Sequence, residues 1–235
     1  MPSPPYRLLA QGRAAQVYDL GDGTVLRRSR NRSYDTANEA EAMTLATRFG
    51  VPVPVIHHVA GPDLVMERVD GPTMMVDLLE ASDRVREHAA TLARLHRCLD
   101  AVPAPTCGAR PASEGGPQRL LHGDLHPDNI ILSARGPVLI DWTNATFGPS
   151  AQDVAQTWLV LACFGHPDPV NDERLAGQRA PMLRAFLALV DRGAALSALP
   201  AAAAARLRDP NTSGVERTRI QQLLASSANE PEGWF

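Results

Sequence analysis

The chain has 235 residues, enough for one large domain or two small lobes about a shared cleft. Its apolar fraction of 44% suits a globular protein, and a net charge of −3 with scattered arginines argues against nucleic acid as a partner. No apolar run is long enough for a bilayer, no signal-peptide core opens the chain, and Cys98, Cys107 and Cys163 lie too far apart for a disulfide framework or a zinc site, so a cytoplasmic protein without membrane attachment is expected.

Three strands are predicted first, Arg7–Ala10, Gln16–Leu20 and Thr24–Arg27, with Gly12 in one turn and Gly21-Asp-Gly23 in the next. Asp35–Thr47 reads as a helix, stopped by Val51-Pro-Val-Pro54. Val55-Ile56 and Asp63–Glu67 read as two further strands, and the turn-rich Arg68-Val-Asp-Gly-Pro72 as a hinge. From Thr73 the pattern turns helical. Val85, Ala89, Leu92, Leu95 and His96 recur at helical spacing and predict a helix over 82–100. A Pro/Gly/Ala-rich loop is expected over 102–117, and a buried helix over 150–164, broken by Pro167 and Pro169. The stretch 172–226 predicts two or three more helices, with Pro200 in a first turn before Ala201–Ala205, and 229–235 a loosely held tail. The expected architecture is α+β and bilobal: a small antiparallel-sheet N-lobe over 1–70 and a larger, mostly helical C-lobe over 71–235.

The most informative stretch is Leu120-Leu-His-Gly-Asp-Leu-His-Pro-Asp-Asn-Ile-Ile-Leu132, closely followed by Val138-Leu-Ile-Asp-Trp142. Short runs of Leu, Ile and Val flank a polar loop, which predicts strand, loop, strand, turn and strand, with Ser133-Ala-Arg-Gly136 as the turn. Such a hairpin presents Asp124, Asn129 and Asp141 from neighbouring segments. Two carboxylates and an amide oxygen near one point suit a hard cation such as magnesium.

These residues resemble a known family. His122-Gly-Asp-Leu-His-Pro-Asp-Asn129 matches the kinase catalytic-loop pattern H-x-D-x-x-x-x-N, and Asp141-Trp142 stands where the magnesium-binding D-F-G aspartate would stand. The chain looks like the aminoglycoside phosphotransferase and small-molecule kinase branch of the protein-kinase-like fold. The resemblance implies an ATP- and magnesium-dependent phosphotransferase acting on a hydroxyl of a small molecule, aminoglycoside-like, sugar or amino-alcohol, with GTP left open as the nucleotide. It makes Asp124 the residue that accepts or orients the hydroxyl proton, and Asn129 and Asp141 the metal ligands. Gly12 would belong to the nucleotide loop Gln11-Gly-Arg-Ala-Ala-Gln16, and Glu67 to Val69 would offer backbone groups to adenine. His126 would touch phosphate or support the loop. The chain contains no lysine. Arg27 therefore stands in the family's third-strand lysine position, and Glu39 is its expected partner, with Glu41 as the fallback.

Plainer readings stand beside these. Thr36-x-x-Glu39 is also a capping box. His122 is expected to hydrogen-bond the loop to the segment before Asp141, Asp153 to cap a helix or brace the loop, and Trp142 to pack near the substrate mouth. His57 and His58 are assigned no function. A metal hydrolase would need a second His/Asp cluster, and none is visible outside 122–141. The main rival is a nucleotide-binding pseudokinase or regulatory module without transfer activity, motivated by Arg27. A polycationic acceptor would want a cluster of acids, for which Asp168, Asp172, Glu173, Asp191 and Glu216 are the candidates, and these read equally as solvated helix faces. Oligomeric state is not predicted.

Overall fold

The computed structural model describes residues 6–12, 14–105, 117–209 and 212–227. The expected 102–117 loop lies mostly outside the described residues, and the 229–235 tail entirely so.

Five strands form one antiparallel sheet: β1 (Arg7–Gln11), β2 (Ala15–Asp19), β3 (Thr24–Ser29), β4 (Ile56–Ala60) and β5 (Asp63–Glu67), in the order β1-β2-β3-β5-β4. The central strand β3 buries Val25, Leu26 and Arg27 in succession. A strand covered on both faces loses the simple in–out alternation of a half-solvated one. Its register sets Arg27 opposite Val17 on one side and Leu64 on the other. Helix α1 (Ala37–Arg48) lays Ala40, Met43 and Ala46 into the core beneath the sheet.

Thr36 precedes α1, but its side chain makes no cap hydrogen bond. The hydroxyl donates to the Gly61 carbonyl instead (2.9 Å). The capping box is thus not formed, and Glu39 is free for another partner.

After α2 (Met74–Glu80), α3 (Val85–Asp100) buries the stripe Val85, Ala89, Leu92, Leu95 and His96 that its periodicity predicts, and Leu99 beyond it. Each leucine so buried contributes about 2 kcal/mol from apolar area alone. Helix α4 (Ser150–Cys163) is buried nearly all round, with Trp158, Leu159 and Val160 inside. The C-terminal half adds α5 (Pro169–Leu187), α6 (Arg192–Arg208) and α7 (Gly214–Ser227), three helices where two or three were expected. Helix α5 packs on α3, while α6 and α7 pack on α4. One hydrophobic cluster runs from Val25, Met43 and Leu64 in the sheet lobe to Leu92, Trp142 and Trp158 in the helical lobe.

Two prolines act differently from the sequence reading. Pro169 starts α5 rather than only ending α4. Asp168 caps that helix by accepting from the Val170 and Asn171 amides (2.9 and 3.1 Å). Pro200 lies inside α6, not in its first turn. The true start is set by Asp191, which accepts from the Ala194 amide (3.0 Å). Burial of Leu199, Ala202 and Ala203 carries the helix through the proline.

Strands β6 (Arg119–Leu121), β7 (Ile130–Ser133), β8 (Gly136–Leu139) and β9 (Thr146–Gly148) carry the polar loop. β7 and β8 pair as the expected hairpin, whereas β6 pairs with β9, a strand not anticipated. The hairpin is locked to the end of the sheet lobe. Arg135 makes two hydrogen bonds to Glu67 (2.5 and 2.8 Å), and the Leu132 amide donates to the Pro72 carbonyl (2.9 Å). At Gly71, φ is +145° and a Cβ would overlap the Leu132 carbonyl, so only glycine fits. Trp142 does not reach a substrate mouth. It is fully buried, donates to the Leu139 carbonyl (3.1 Å) and meets the His122 ring edge-on at 5.0 Å.

Candidate active site

The polar loop leaves β6 at Leu121 and turns at once on buried polar anchors. Asp153, from the first turn of α4, accepts from the His122 amide (3.1 Å) and the Gly123 amide (2.7 Å). Gly123 has φ +77°, and a Cβ there would strike the Asn144 carbonyl. The His122 ring then ties the two halves of the site together. Its Nδ1 accepts from the Asp124 amide (3.3 Å), which leaves Nε2–H to donate to the Ile140 carbonyl (3.0 Å). That is the neutral ring, and burial holds its pKa below the usual histidine range. The role expected for His122 and the bracing role weighed for Asp153 agree with these contacts.

The Asp124 carboxylate faces the C-terminal helices. Its Oδ1 receives Arg206 Nη1 from α6 (3.0 Å), and Oδ2 lies 3.4 Å from His126 Nε2. Arg206 also donates from Nε to Glu216 of α7 (2.7 Å). Burial alone would raise the Asp124 pKa, but the His126 contact and the Arg206 charge outweigh it and hold the carboxyl well below the usual carboxylate range. His126 has its Nδ1 occupied by the Asp128 amide (3.3 Å), so Nε2–H is the donor that faces Asp124. Its described contacts, with Asp124, Asp128 and Asn129, all lie within the loop.

Asn129 closes the loop. Its Nδ2 donates to the Asp124 carbonyl (2.8 Å), which orients Oδ1 as the remaining acceptor, and its own carbonyl receives the Ile140 amide (2.9 Å). Asp141 follows directly with φ 60°, the left-handed region, among the described residues the one non-glycine there. Such a conformation costs of order 1 kcal/mol and marks a side chain re-aimed by its surroundings.

Asp141 is aimed at the sheet lobe. Its Oδ1 receives the Thr143 hydroxyl (2.6 Å) and, at 3.3 Å, Arg27 Nη2, which donates more closely to Thr143 Oγ1 (2.5 Å). Arg27 Nη1 lies 3.0 Å from Glu39 Oε1, at ion-pair distance but outside hydrogen-bond alignment, and so remains a buried donor without a hydrogen bond. The Tyr34 hydroxyl reaches both Glu39 and the Thr143 carbonyl at 3.4 Å. Burial pushes the Glu39 carboxyl up, Arg27 pulls it down, and Asp141 pushes it up again. Glu41 is exposed and has no part in this network.

The two carboxylates are therefore held by different parts of the molecule. The Asp124 carboxylate has its partners on α6 and in its own loop, while the Asp141 carboxylate has its partners on β3 and at Thr143. Among the described residues no three His, Cys, Asp or Glu side chains gather as a ligand set. Asn129 Oδ1, just before β7, and the half-exposed Asp141 carboxylate, just after β8, are two oxygen donors at the same end of one hairpin. They fit magnesium, which takes few protein ligands and completes its shell with phosphate and water.

The remaining expected residues line the sheet lobe. The Gly12 amide closes a tight turn onto the Ala15 carbonyl (2.9 Å). Glu67 ends β5, its side chain held by Arg135 and its amide by the Val55 carbonyl (2.7 Å). Val69 is half-buried just beyond it. Arg206, Thr143 and Tyr34 were missed, and Glu216, named as an acceptor-side acid, is instead the partner of Arg206. Thr143 lies two residues from Asp141, but Arg206 is 82 residues from Asp124, and nothing local signals it.

A model of the phosphotransferase enzyme family matches residues 5–112 and 105–196, most of the chain. The chain belongs to that family. Among curated relatives, a probable serine/threonine-protein kinase BUD32 homolog of Archaeoglobus fulgidus is 30% identical over 112 residues, covering 48% of this chain and 46% of that one. A probable bifunctional tRNA threonylcarbamoyladenosine biosynthesis protein of Methanoculleus marisnigri is 27% identical over 141 residues, covering 55% of this chain and 23% of that one. The chain thus spans less than half the length of these relatives. Among solved structures, the ADP-bound aminoglycoside phosphotransferase APH(2'')-Ib superposes with a TM-score of 0.58 at 14% identity, covering 94% and 90% of the two chains. At that identity the likeness shows the fold alone. The chain has the bilobal α+β fold of the protein-kinase-like proteins, and no helix among its described residues is long and apolar enough to cross a membrane.

Proposed function

We propose that this phosphotransferase moves the γ-phosphoryl group of ATP to a hydroxyl of a small molecule. The observation that carries the reading is the division of the site. One carboxylate, Asp124, faces the helices, and a second, Asp141, faces the arginine of the sheet lobe. Asn129 and Asp141 would hold magnesium, which supplies charge neutralisation on the phosphates. Arg27 Nη1, buried and without a hydrogen bond, is a donor that a phosphate oxygen in the cleft would satisfy.

In the transfer the acceptor oxygen forms a bond to the γ-phosphorus, the bond to the β-bridging oxygen breaks, and ADP leaves. The hydroxyl proton passes to Asp124. A carboxylate of such low pKa is a weak base, so its main work is to orient the hydroxyl until late in a loose transition state. Positioning by Asp124, held by His122 from behind and by the Asn129 amide at its carbonyl, matters more than basicity.

Asp124→Asn tests this reading. Nucleotide affinity should stay within about threefold of the parent while ADP release with acceptor falls about 100-fold or more. Unchanged turnover removes Asp124 from the role. ATP-induced thermal stabilisation without ADP release on a broad set of hydroxylated compounds would favour a nucleotide-binding module instead.

A further inference from the structure

Resting on that transferase reading, we propose that Arg206 is a specificity-determining residue of the acceptor side and that the acceptor is an alcohol bearing an anionic group, a carboxylate or a phosphate ester. Arg206 touches the carboxylate that the acceptor hydroxyl must reach (Nη1 to Asp124 Oδ1, 3.0 Å). Its other side-chain partner is Glu216, itself buried. When a hydroxyl engages Asp124, the arginine must share or lose that oxygen. A mostly buried guanidinium stripped of a carboxylate is costly unless another anion takes its place. An anionic group on the acceptor does so, whereas an ammonium group adds repulsion.

The surroundings point the same way. Arg179 and Arg219 join Arg206 about the Cys163 thiol, against the acids Asp172, Glu216 and Asp124, so three cations meet three anions there, and only two once Asp124 has taken the hydroxyl proton. The acids that could attract a polycation are spent. Asp172 is held between Arg179 and Arg219, Glu216 by Arg206, and Asp168 and Asp191 cap α5 and α6. Glu173 alone of the five has no such use, and it is exposed. Beside Pro127 the helical lobe forms an apolar cleft lined by Met75, Leu78, Pro127 and Phe164, with Arg179 at its edge. Hydrocarbon walls with a single arginine and no acid suit a compact hydroxy acid or phosphate ester better than a polyamine sugar.

The test is ADP release by the purified protein with ATP and magnesium, in a series that changes only the group beside the alcohol: glycerate and glycerol 3-phosphate, glycerol, ethanolamine, and kanamycin as a polycation. At least one anionic alcohol should exceed glycerol and ethanolamine about tenfold or more in kcat/KM. Arg206→Gln should shrink that preference to about threefold or less, mainly through KM. The double variant Arg206→Gln with Glu216→Gln keeps a neutral pair and guards against loss of folding from a stranded Glu216. A preference for glycerol, ethanolamine or kanamycin overturns the proposal. So does a preference for anions that survives in both variants, or the absence of transfer to any anionic alcohol. Transfer to neutral or cationic alcohols would leave the kinase reading standing. No transfer to any class, with no slow ATP hydrolysis either, would remove both.

Discussion

Arg27 replaces the lysine expected on the third strand, and its geometry explains why an arginine works there. One guanidinium spans Glu39 on α1, Thr143 and Asp141, with contacts at 3.0, 2.5 and 3.3 Å. An ammonium is a single point charge and cannot span these positions. Arg27→Lys should therefore weaken the protein. Urea unfolding should show a loss of roughly 1–3 kcal/mol, and ATP titration should show weaker, not tighter, binding. A more active Lys variant would mean that the arginine is a handicap. Glu39 illustrates how far local reading reaches. Its capping-box spacing and its ion-pair role were equally visible in the sequence. The choice was made by the Gly61 carbonyl, which draws the Thr36 hydroxyl away from the helix end.

At the scale of the element, the loop from His122 to Asn129 is held from three directions. Asp153 grips its entry amides, the His122 ring bridges it to Ile140, and the Asn129 amide closes it. Asp153→Ala would leave the His122 and Gly123 amides without their acceptor in the interior. A stability loss of about 2–5 kcal/mol is expected, with a fall in turnover at saturating ATP even at temperatures where the protein stays folded. Urea midpoints and ADP release measured side by side separate the two effects. Intact turnover in folded Asp153→Ala would show that the loop holds its shape without this brace.

For the whole molecule, buried neutral histidines set the acid limit. Burial lowers the His96 pKa to about 4 from 6.5, and His122 is lowered in the same sense. The unfolded chain therefore binds protons between pH 6.5 and about 4 that the folded chain refuses. Stability rises with pH across that window and is lost as pH falls through it, by roughly 3 kcal/mol for His96 alone. Asp124, lowered instead from its ordinary 3.8, adds a further loss only below that value. His96 donates to Thr157, whose hydroxyl donates on to the Leu125 carbonyl, so His96→Gln keeps a donor without a titrating ring. Chemical unfolding at pH 7 and pH 4.5 should show a smaller acid loss in that variant. An unchanged loss would place the proton elsewhere.

The α+β order, the helix of Val85 to Leu99 and the loop from His122 to Asp141 could all be read from the chain. Their signals are short-range: apolar periodicity, turn residues, and chemical groups within about twenty positions of one another. Where the helices C-terminal of Pro169 begin depended on capping by Asp168 and Asp191 and on burial against α4, which outweighed the proline at 200. The pairing of β6 with β9, the burial of Trp142 and the meeting of Arg206 with Asp124 belong to the folded molecule alone. They join segments that carry no mark of one another, because packing of whole elements brings them together and no local periodicity encodes that. The sequence by itself determined which groups can do the chemistry. Only the tertiary structure decided which way each carboxylate faces, since that depends on the charges that distant helices set beside it.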